Sequence, residues 1–306
     1  MAEKVAKLGL GWLPDYPDFR DYTIDQNAVA PKLQLLKQEK SIKDMRELVG
    51  VAETGKRLSV SASVDLRQWC SPIEDQGSLG SCTAQAGAGV VEYFEKRAFG
   101  RYIDASRLFL YKATRNLMHA TGDSGAFLRS TMGALTLFGV PPEEYWQYSI
   151  PDFDNEPPAF CYAFAQNYQA ITYYRLDPYG TPKDALLNRI KTDLGAGLPP
   201  MFGFTVYSSV SQADKTGAIP YPTAGEKIVG GHAVVAVGYD DARTIKNTNR
   251  GAVETKGALL IRNSWGTGWG EAGYGWLPYE YVLKGLAVDW WSLLKNEWVD
   301  TGQFRR

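Results

Sequence analysis

The stretch "EDQGSLGSCTA", residues 74–84, sets a cysteine in a run of small residues. Cys82 follows a Gly-Ser turn, and a helical pattern begins at or just after it. The unpaired amides and positive dipole end of a helix N-terminus favour a thiolate over a thiol. Cys82 is therefore a candidate nucleophile. The alternative is a buried thiol that packs as a small apolar side chain, the usual role of a free cysteine.

A nucleophilic thiol needs a base, and the sequence offers two histidines. His119 lies in "NLMHATGDSG", where a solvent-facing histidine at a helix end is expected. His232 opens the apolar strand "GGHAVVAVGY", an unusual place for an imidazole unless another group holds it. His232 is the candidate base, and its alternative is a satisfied histidine in the core or at a sheet edge.

The strand "GALLIRNSWG" follows "HAVVAVGYDD" through a polar stretch. If the two form a long hairpin, His232 and Asn263 lie side by side at its outer ends. An asparagine there can hydrogen-bond the imidazole and fix its tautomer without adding a negative charge. Trp265 could then cover that hydrogen bond. A one-residue slip in register would turn these side chains away, and Asn263 would then be an ordinary turn residue.

Gln76 lies six residues before Cys82. Attack on an acyl carbon creates an oxyanion, which a preorganised N–H group stabilises. The Gln76 amide and the backbone N–H of Cys82 are suited to this role. The alternative for Gln76 is a loop amide bonded to backbone.

Composition excludes several other functions. The 306 residues have a formal net charge of −1, which gives no electrostatic basis for binding nucleic acid or an anionic membrane. Two histidines and three scattered cysteines do not match zinc-ligand spacing, so we expect no metal and no cofactor. A Cys70–Cys161 disulfide would leave Cys82 free, but the sequence does not reveal whether it forms.

The N-terminus lacks an apolar stretch of signal-peptide length, and no apolar run is long enough to cross a bilayer. A soluble protein with a cytosolic location is the default expectation.

Hydrophobic periodicity predicts helices in the first half of the chain and strands in the second. A short amphipathic helix is expected in "SIKDMRELVG", and three longer ones between about residues 80 and 140. Strands are expected in "YQAITYYRL", "PPMFGFTVY", "HAVVAVGY" and "GALLIRNSW". One helix interrupts them in "GTPKDALLNRIKTDLG", with Thr181 as N-cap and Gly195 as its stop. This order favours an α+β fold of two lobes.

Three of these stretches, "QGSLGSC", "GGHAVVAVGY" and "RNSWGTGWGEAGYG", occur in the order found in papain-like cysteine peptidases, which the chain resembles over about residues 62–285. The resemblance implies a papain-like fold: a helical lobe, an antiparallel barrel-like β lobe, and an active site in the cleft between them. It also implies a Cys-His-Asn site, the general arrangement known for papain-like proteases.

The resemblance assigns roles residue by residue. Cys82 would be the nucleophile, His232 the base and then the acid, and Asn263 the group that orients the imidazole. Gln76 would be the oxyanion donor and Trp265 the shield. Backbone groups of Ser124, Gly125 and Gly231 would contact an extended substrate.

The chain departs from the family pattern at three places. Leu79 stands where a disulfide-forming cysteine is usual, and Thr83 where a tryptophan usually follows the nucleophile. The loop between His232 and Asn263 is longer than usual and polar. None of these departures removes a group that the chemistry needs.

Residues 1–59 lack the long helical pattern of common pro-regions. Together with residues 60–167 as the helical lobe and 168–306 as the β-rich lobe, they complete the expected organisation. We expect "GWLPDYPDFRDYTID" either to lie across the cleft as an inhibitor, released by cleavage near Lys56–Arg57, or to form a surface belt without a regulatory role.

The expected partners are peptide or protein substrates and the chain's own N-terminal segment, and the expected activity is endopeptidase. A transpeptidase or acyltransferase on the same fold, and a non-catalytic peptide-binding protein, are the alternatives.

Overall fold

The computed structural model describes residues 8–30, 34–35, 38–51, 61–168 and 172–304. Its helices are α1 (Ile42–Leu48), α2 (Cys82–Phe99), α3 (Arg107–Leu117), α4 (Leu128–Leu137), α5 (Ala159–Ala165), α6 (Lys183–Ala196), α7 (Tyr279–Leu283) and α8 (Asn296–Val299). Its strands are β1 (Trp12–Leu13), β2 (Ser63–Asp65), β3 (Ala126–Phe127), β4 (Thr172–Arg175), β5 (Met201–Tyr207), β6 (Ile228–Lys246), β7 (Glu254–Arg262), β8 (Tyr274–Pro278) and β9 (Ala287–Leu294). Short 3₁₀ helices occur at Arg67–Trp69, Glu143–Tyr145, Ile150–Asp152, Gln166–Tyr168 and Ser208–Ala213.

The helical half is built around α2, which packs against α3 and α4. Small residues at its start let other chain segments approach closely, and most of its residues are buried. The helix ends at Gly100, whose φ of 70° is a left-handed conformation that glycine adopts without strain. Phe94 of α2 stacks on Trp298 of α8 with ring centroids 5.1 Å apart, so the end of the chain returns to the helical half.

The second half forms one antiparallel sheet in the order β4-β9-β5-β6-β7-β8, and β2 also pairs with β6. The long strand β6 pairs with β5 on one side and with β7 on the other. Helix α2 packs against β6, which brings the helical half and the sheet together at the start of α2. The predicted α+β fold is confirmed, with helices first and strands afterwards.

Helix α6 has shifted ends relative to the prediction. Pro182 is its N-cap in place of Thr181, and the helix continues past Gly195 to Ala196. Gly197 ends it with a φ of 81°, and its amide donates to the carbonyl of Leu194 at 2.9 Å. The helix stops at the glycine that adopts the left-handed conformation, and periodicity alone does not reveal which of two nearby glycines does so.

The predicted amphipathic helix near residue 45 is confirmed as α1. Ser41 caps it, and Ile42, Met45 and Val49 are buried. No helix in the described part of the chain is long and apolar enough to span a membrane.

Candidate active site

Cys82 is the first residue of α2 and is fully buried. Its sulfur faces the backbone amides of Ala233, on β6, and of Gly11, in the N-terminal segment. Because Ala233 follows His232 directly, the start of α2 lies against the part of β6 that carries the histidine. The structure thus brings the predicted nucleophile and base into one region, from two distant parts of the sequence.

The predicted hairpin forms, with β6 and β7 paired antiparallel from Lys246–Glu254 beside the turn to Val235–Arg262 near its outer end. His232 Nε2 and Asn263 Oδ1 lie 2.8 Å apart at its outer end. The Trp265 ring stacks on the imidazole at a centroid distance of 4.4 Å. Nδ1 of His232, the opposite ring nitrogen, is buried and has no hydrogen-bond partner among the described residues. This arrangement fixes the imidazole and leaves one nitrogen available for proton transfer.

Gln76 is fully buried, and a residue that the sequence analysis missed holds its amide in place. Ser264, next to Asn263, donates its hydroxyl to Gln76 Oε1 at 2.5 Å. The Gln76 backbone amide also donates to the Ser264 carbonyl at 2.9 Å. The side-chain oxygen is thereby occupied, so Gln76 Nε2 is held as the donor of the amide, and it donates to the Leu79 carbonyl at 2.8 Å and to the Gly9 carbonyl at 2.9 Å.

Protonation in this site is governed by burial. Burial raises the pKa of Cys82 to about 11, although the amides of Ala233 and Gly11 act in the opposite direction. Burial lowers the pKa of His232 to about 4, opposed by the hydrogen bond to Asn263. At neutral pH the two groups are therefore a neutral thiol and a neutral imidazole. The low-dielectric surroundings thus oppose the thiolate that a helix N-terminus favours.

The N-terminal segment, defined here as residues 8–24, runs through the cleft beside these groups. The Gly9 carbonyl accepts a hydrogen bond from Gln76 Nε2 at 2.9 Å. The carbonyl of Gly11 accepts from the amide of Ala126 at 2.8 Å, and β1 pairs with β3 in parallel. A β-carbon built on Gly11 would lie 1.9 Å from the Gly80 carbonyl oxygen, so only glycine fits there.

The chain matches the model of the papain family of cysteine proteases over residues 60–283. It is 36% identical over 236 residues, 75% of this chain and 71% of the relative, to an uncharacterised peptidase C1-like protein of Acanthamoeba polyphaga mimivirus. It is 29% identical to cathepsin K of Gallus gallus over 70% of this chain and 57% of that relative. The chain belongs to the papain family of cysteine proteases.

Solved structures of the family share the fold. The crystal structure of xylellain, a cysteine protease from Xylella fastidiosa, superposes with a TM-score of 0.69 at 31% identity, covering 94% of this chain and 96% of that one. Procathepsin L 3 of Tenebrio molitor has the same fold at 21% identity, with a TM-score of 0.59 and coverage of 83% of this chain and 80% of that one.

Two of the three residues predicted to contact substrate, Gly125 and Gly231, lie against the N-terminal segment. A β-carbon on Gly125 would be 2.4 Å from the Gly11 carbonyl oxygen, and one on Gly231 would be 2.6 Å from the Trp12 carbonyl oxygen. The Ser124 side chain donates instead to the Gly125 carbonyl at 3.0 Å. The segment thus occupies the strip that the family resemblance assigns to substrate backbone.

Ion pairs fasten the N-terminal segment to both halves of this papain-family chain. Arg129 on α4 binds Asp21 through two hydrogen bonds of 2.8 Å and also binds Asp15. Arg175 on β4 lies 3.6 Å from Asp21 and donates to the Asp15 carbonyl at 3.2 Å. Trp12 Nε1 donates to the buried carboxylate of Asp289 at 3.0 Å.

Two positions that depart from the family pattern are buried. Leu79 and Thr83 have almost no exposed surface. Cys70, Cys82 and Cys161 all carry free thiols, so the Cys70–Cys161 disulfide considered from the sequence is absent.

Proposed function

We propose that this papain-family chain is a cysteine endopeptidase that uses Cys82, His232 and Asn263, and that residues 8–24 hold it inactive. The observation that carries the proposal is the fixed imidazole of His232, one residue from the amide that faces the Cys82 sulfur. The unpartnered Nδ1 is the nitrogen suited to receive the thiol proton once the two groups meet.

In the proposed reaction, His232 takes the proton of Cys82 and the sulfur attacks the peptide carbonyl carbon. The carbonyl oxygen becomes an oxyanion that Gln76 Nε2 and the Cys82 amide stabilise. His232 then donates its proton to the leaving amine, and a thioester remains on Cys82. Water, deprotonated by His232, hydrolyses the thioester and restores the thiol.

The contacts of the N-terminal segment support the inhibitor part of the proposal. The carbonyl of Gly9 occupies the Gln76 donor that the oxyanion needs, and Gly11 contacts the Cys82 sulfur. A substrate cannot reach these groups while the segment is bound. The predicted cleavage near Lys56–Arg57 lies outside the described residues.

The test uses the full-length chain with the segment's anchors removed by Trp12→Ala, Asp15→Ala and Asp21→Ala, called the opened variant below. We expect it to hydrolyse a fluorogenic peptide library faster than the native chain, because the segment loses its indole and the two carboxylates that pair with Arg129. Adding Cys82→Ala should lower kcat by at least about 10⁴-fold, as for removal of a catalytic nucleophile.

The matched control is Tyr16→Ala with Phe19→Ala, which changes two side chains of the same segment that are 89% and 95% exposed. These two substitutions should leave the segment bound in the cleft and the rate of hydrolysis equal to that of the native chain. Hydrolysis that survives Cys82→Ala would refute the assignment of Cys82 as the nucleophile. Equal activity of the native chain and the opened variant would refute the proposal that residues 8–24 inhibit the enzyme.

A further inference from the structure

The peptide group that joins Leu79 to Gly80 lies in the loop before Cys82 and binds a different partner at each end. Its carbonyl accepts a hydrogen bond from Gln76 Nε2 at 2.8 Å. Its N–H donates to the carboxylate of Asp123, at 3.0 Å to Oδ1 and at 3.1 Å to Oδ2. A peptide group is planar, so its two ends cannot turn independently. The group that holds the Gly80 N–H therefore also sets the direction of the Leu79 carbonyl.

The direction of that carbonyl matters because it orients the Gln76 side chain. The amide nitrogen of Gln76 carries two hydrogens, and its acceptors are the Leu79 carbonyl and the Gly9 carbonyl in the cleft. In the proposed reaction the oxyanion takes the place of Gly9. An oxyanion donor is effective only at about 2.7–3.1 Å from the developing charge, so a rotation of the amide weakens it.

A tyrosine of the helical half fixes the Asp123 carboxylate. Tyr111 on α3 is fully buried and donates its hydroxyl to Asp123 Oδ1 at 2.6 Å. Burial and the neighbouring carboxylate raise the pKa of Tyr111, so the phenol stays protonated as a donor. The guanidinium of Arg115 lies 4.3 Å from the centre of the Tyr111 ring. Asp123 thus has a rigid support although the residue itself is exposed.

The same hydroxyl reaches the strip along which the N-terminal segment lies. The Gly125 amide donates to the Tyr111 hydroxyl at 3.1 Å, and the next amide, that of Ala126, donates to the Gly11 carbonyl at 2.8 Å. Asp123 and Tyr111 together therefore join two parts of the cleft: the loop before α2 and the strip at β3.

This noncovalent link lies in a loop without a disulfide. Leu79 stands where papain-like peptidases usually have a disulfide-forming cysteine, and all three cysteines of this chain are free thiols. A β-carbon built on Gly80 would lie 2.9 Å from Asp123 Oδ1, so glycine permits the close approach of the carboxylate. The loop beside the nucleophile thus depends on hydrogen bonds for its position.

We propose that Asp123 is a positioning residue for peptide hydrolysis: by holding the Gly80 N–H, it fixes the peptide group that orients the oxyanion donor Gln76. This inference rests on the proposed peptidase function, because it names a further residue of the same site. Removal of the Asp123 carboxylate should weaken stabilisation of the transition state and leave the initial binding of substrate nearly unchanged.

The experiment introduces Asp123→Ala into the opened variant. We expect kcat and kcat/KM to fall together by about 10-fold, because a hydrogen bond to a charged group is lost. KM should change by less than about 2-fold, as for an interaction that acts only in the transition state. Asp123→Asn keeps an oxygen acceptor, so kcat should recover to within about 3-fold of the opened variant.

A double-mutant cycle with Gln76→Ala shows whether Asp123 acts through Gln76. In the opened variant that already carries Gln76→Ala, Asp123→Ala should lower kcat by less than about 2-fold, because the group that it orients is gone. A general loosening of the fold would lower kcat by the same factor in both backgrounds and would overturn the positioning role.

The matched control is Asp154→Asn. Asp154 accepts from the Gly122 amide at 3.1 Å and from Arg115 at 2.7 Å, so it holds the loop of Asp123 at the preceding residue. The change leaves the Asp123 carboxylate and its bond to Gly80 in place. Its kcat should stay within about 2-fold of that of the opened variant.

Hydrogen exchange separates this inference from the peptidase proposal, because it requires no hydrolysis. The native chain is labelled at its glycine nitrogens and followed by NMR. Asp123→Ala should speed exchange of the Gly80 amide at least about 10-fold, because the amide loses its acceptor. The Gly197 amide, which donates to the Leu194 carbonyl at 2.9 Å, is the internal control and should not change.

Unchanged exchange at Gly80 would overturn the inference, as would a kcat in the opened variant that does not respond to Asp123→Ala. An opened variant that hydrolyses no peptide would instead count against the peptidase proposal. The exchange rate at Gly80 would then still decide whether Asp123 holds the peptide group.

Discussion

The state of Cys82 and His232 depends on what covers them. The sulfur is at a helix N-terminus and near two backbone amides, which would favour a thiolate in contact with water. With the cleft filled, burial dominates and both groups are neutral, because neither charge is solvated. Removal of the cover should rehydrate the site and allow the proton to pass from sulfur to imidazole.

Alkylation of Cys82 by iodoacetamide as a function of pH tests this state, since the thiolate is the species that reacts. In the native chain the labelling rate should keep rising toward pH 11, the region of the raised pKa of Cys82. In the opened variant the rise should move to much lower pH, and His232→Ala in that background should reverse the move.

Peptide mapping by mass spectrometry gives the rate at each cysteine. Cys70 is the internal control. Burial also raises the pKa of its thiol, but Cys70 is not one of the groups that line the cleft. The readout is the pH at which the labelling rate rises. A change in the accessibility of Cys82 alone would alter the maximal rate and not this pH. Profiles with the same midpoint in both chains would contradict the neutral resting state.

At the scale of elements, α1 belongs to the folded body although it precedes the family match at residue 60. Arg46 of α1 forms a buried ion pair with Asp193 of α6, and Tyr174 of β4 donates to the same carboxylate at 3.0 Å. Met45 is fully buried. The proposed cleft-blocking role therefore concerns residues 8–24 and not the whole stretch before the family match.

Cutting the chain between α1 and β2 should consequently not release the N-terminal segment from the cleft. A recognition sequence for a site-specific protease is inserted in place of residues 53–58, and the cut chain is run on native size exclusion. We expect the N-terminal fragment to remain bound and Cys82 to stay protected. Arg46→Ala should release the fragment, because loss of one partner of a buried ion pair costs about 3–5 kcal/mol.

Glu47→Ala is the matched control, since Glu47 lies on the exposed face of the same helix. It should leave the fragment bound. Spontaneous dissociation of the fragment from the otherwise native cut chain would show that α1 is a detachable part.

At the scale of the whole molecule, local patterns predicted the longer helices and several strands, and the family motifs supplied the candidate site residues. The hairpin from His232 to Asn263 could be predicted because both strands and their polar connection are continuous in sequence. The Ser264 contact to Gln76 could not, because it joins loops 188 residues apart. The course of residues 8–24 was open between a cleft and a surface position, since glycines such as Gly9 and Gly11 reveal their purpose only when another backbone lies against them.

One cluster between the helical half and β7 contains a buried carboxyl group with a shifted pKa, that of Glu92. Glu92 on α2 accepts hydrogen bonds from the Ser71 hydroxyl and from the Ala105 amide. Arg262, at the end of β7 and next to Asn263, donates to Ser71 at 2.8 Å and to the Pro72 carbonyl at 2.6 Å. The cluster joins the helical half to the strand that positions Asn263, so its protonation should register in global stability.

Burial raises the pKa of Glu92 from 4.5 to about 7, opposed chiefly by Arg262. Between these values the folded chain keeps a proton that the unfolded chain has lost, so this residue makes the free energy of unfolding fall as pH rises. Glu92→Gln cannot titrate and should lack that component. Relative to the native chain, its free energy of unfolding in urea should therefore improve from pH 4.5 to pH 7, by on the order of 3 kcal/mol. The control is Glu144→Gln, a change at an exposed residue, and its curve in the same buffers should follow the native one. A Glu92→Gln curve parallel to the native curve would mean that Glu92 is already ionised in the folded chain at pH 4.5.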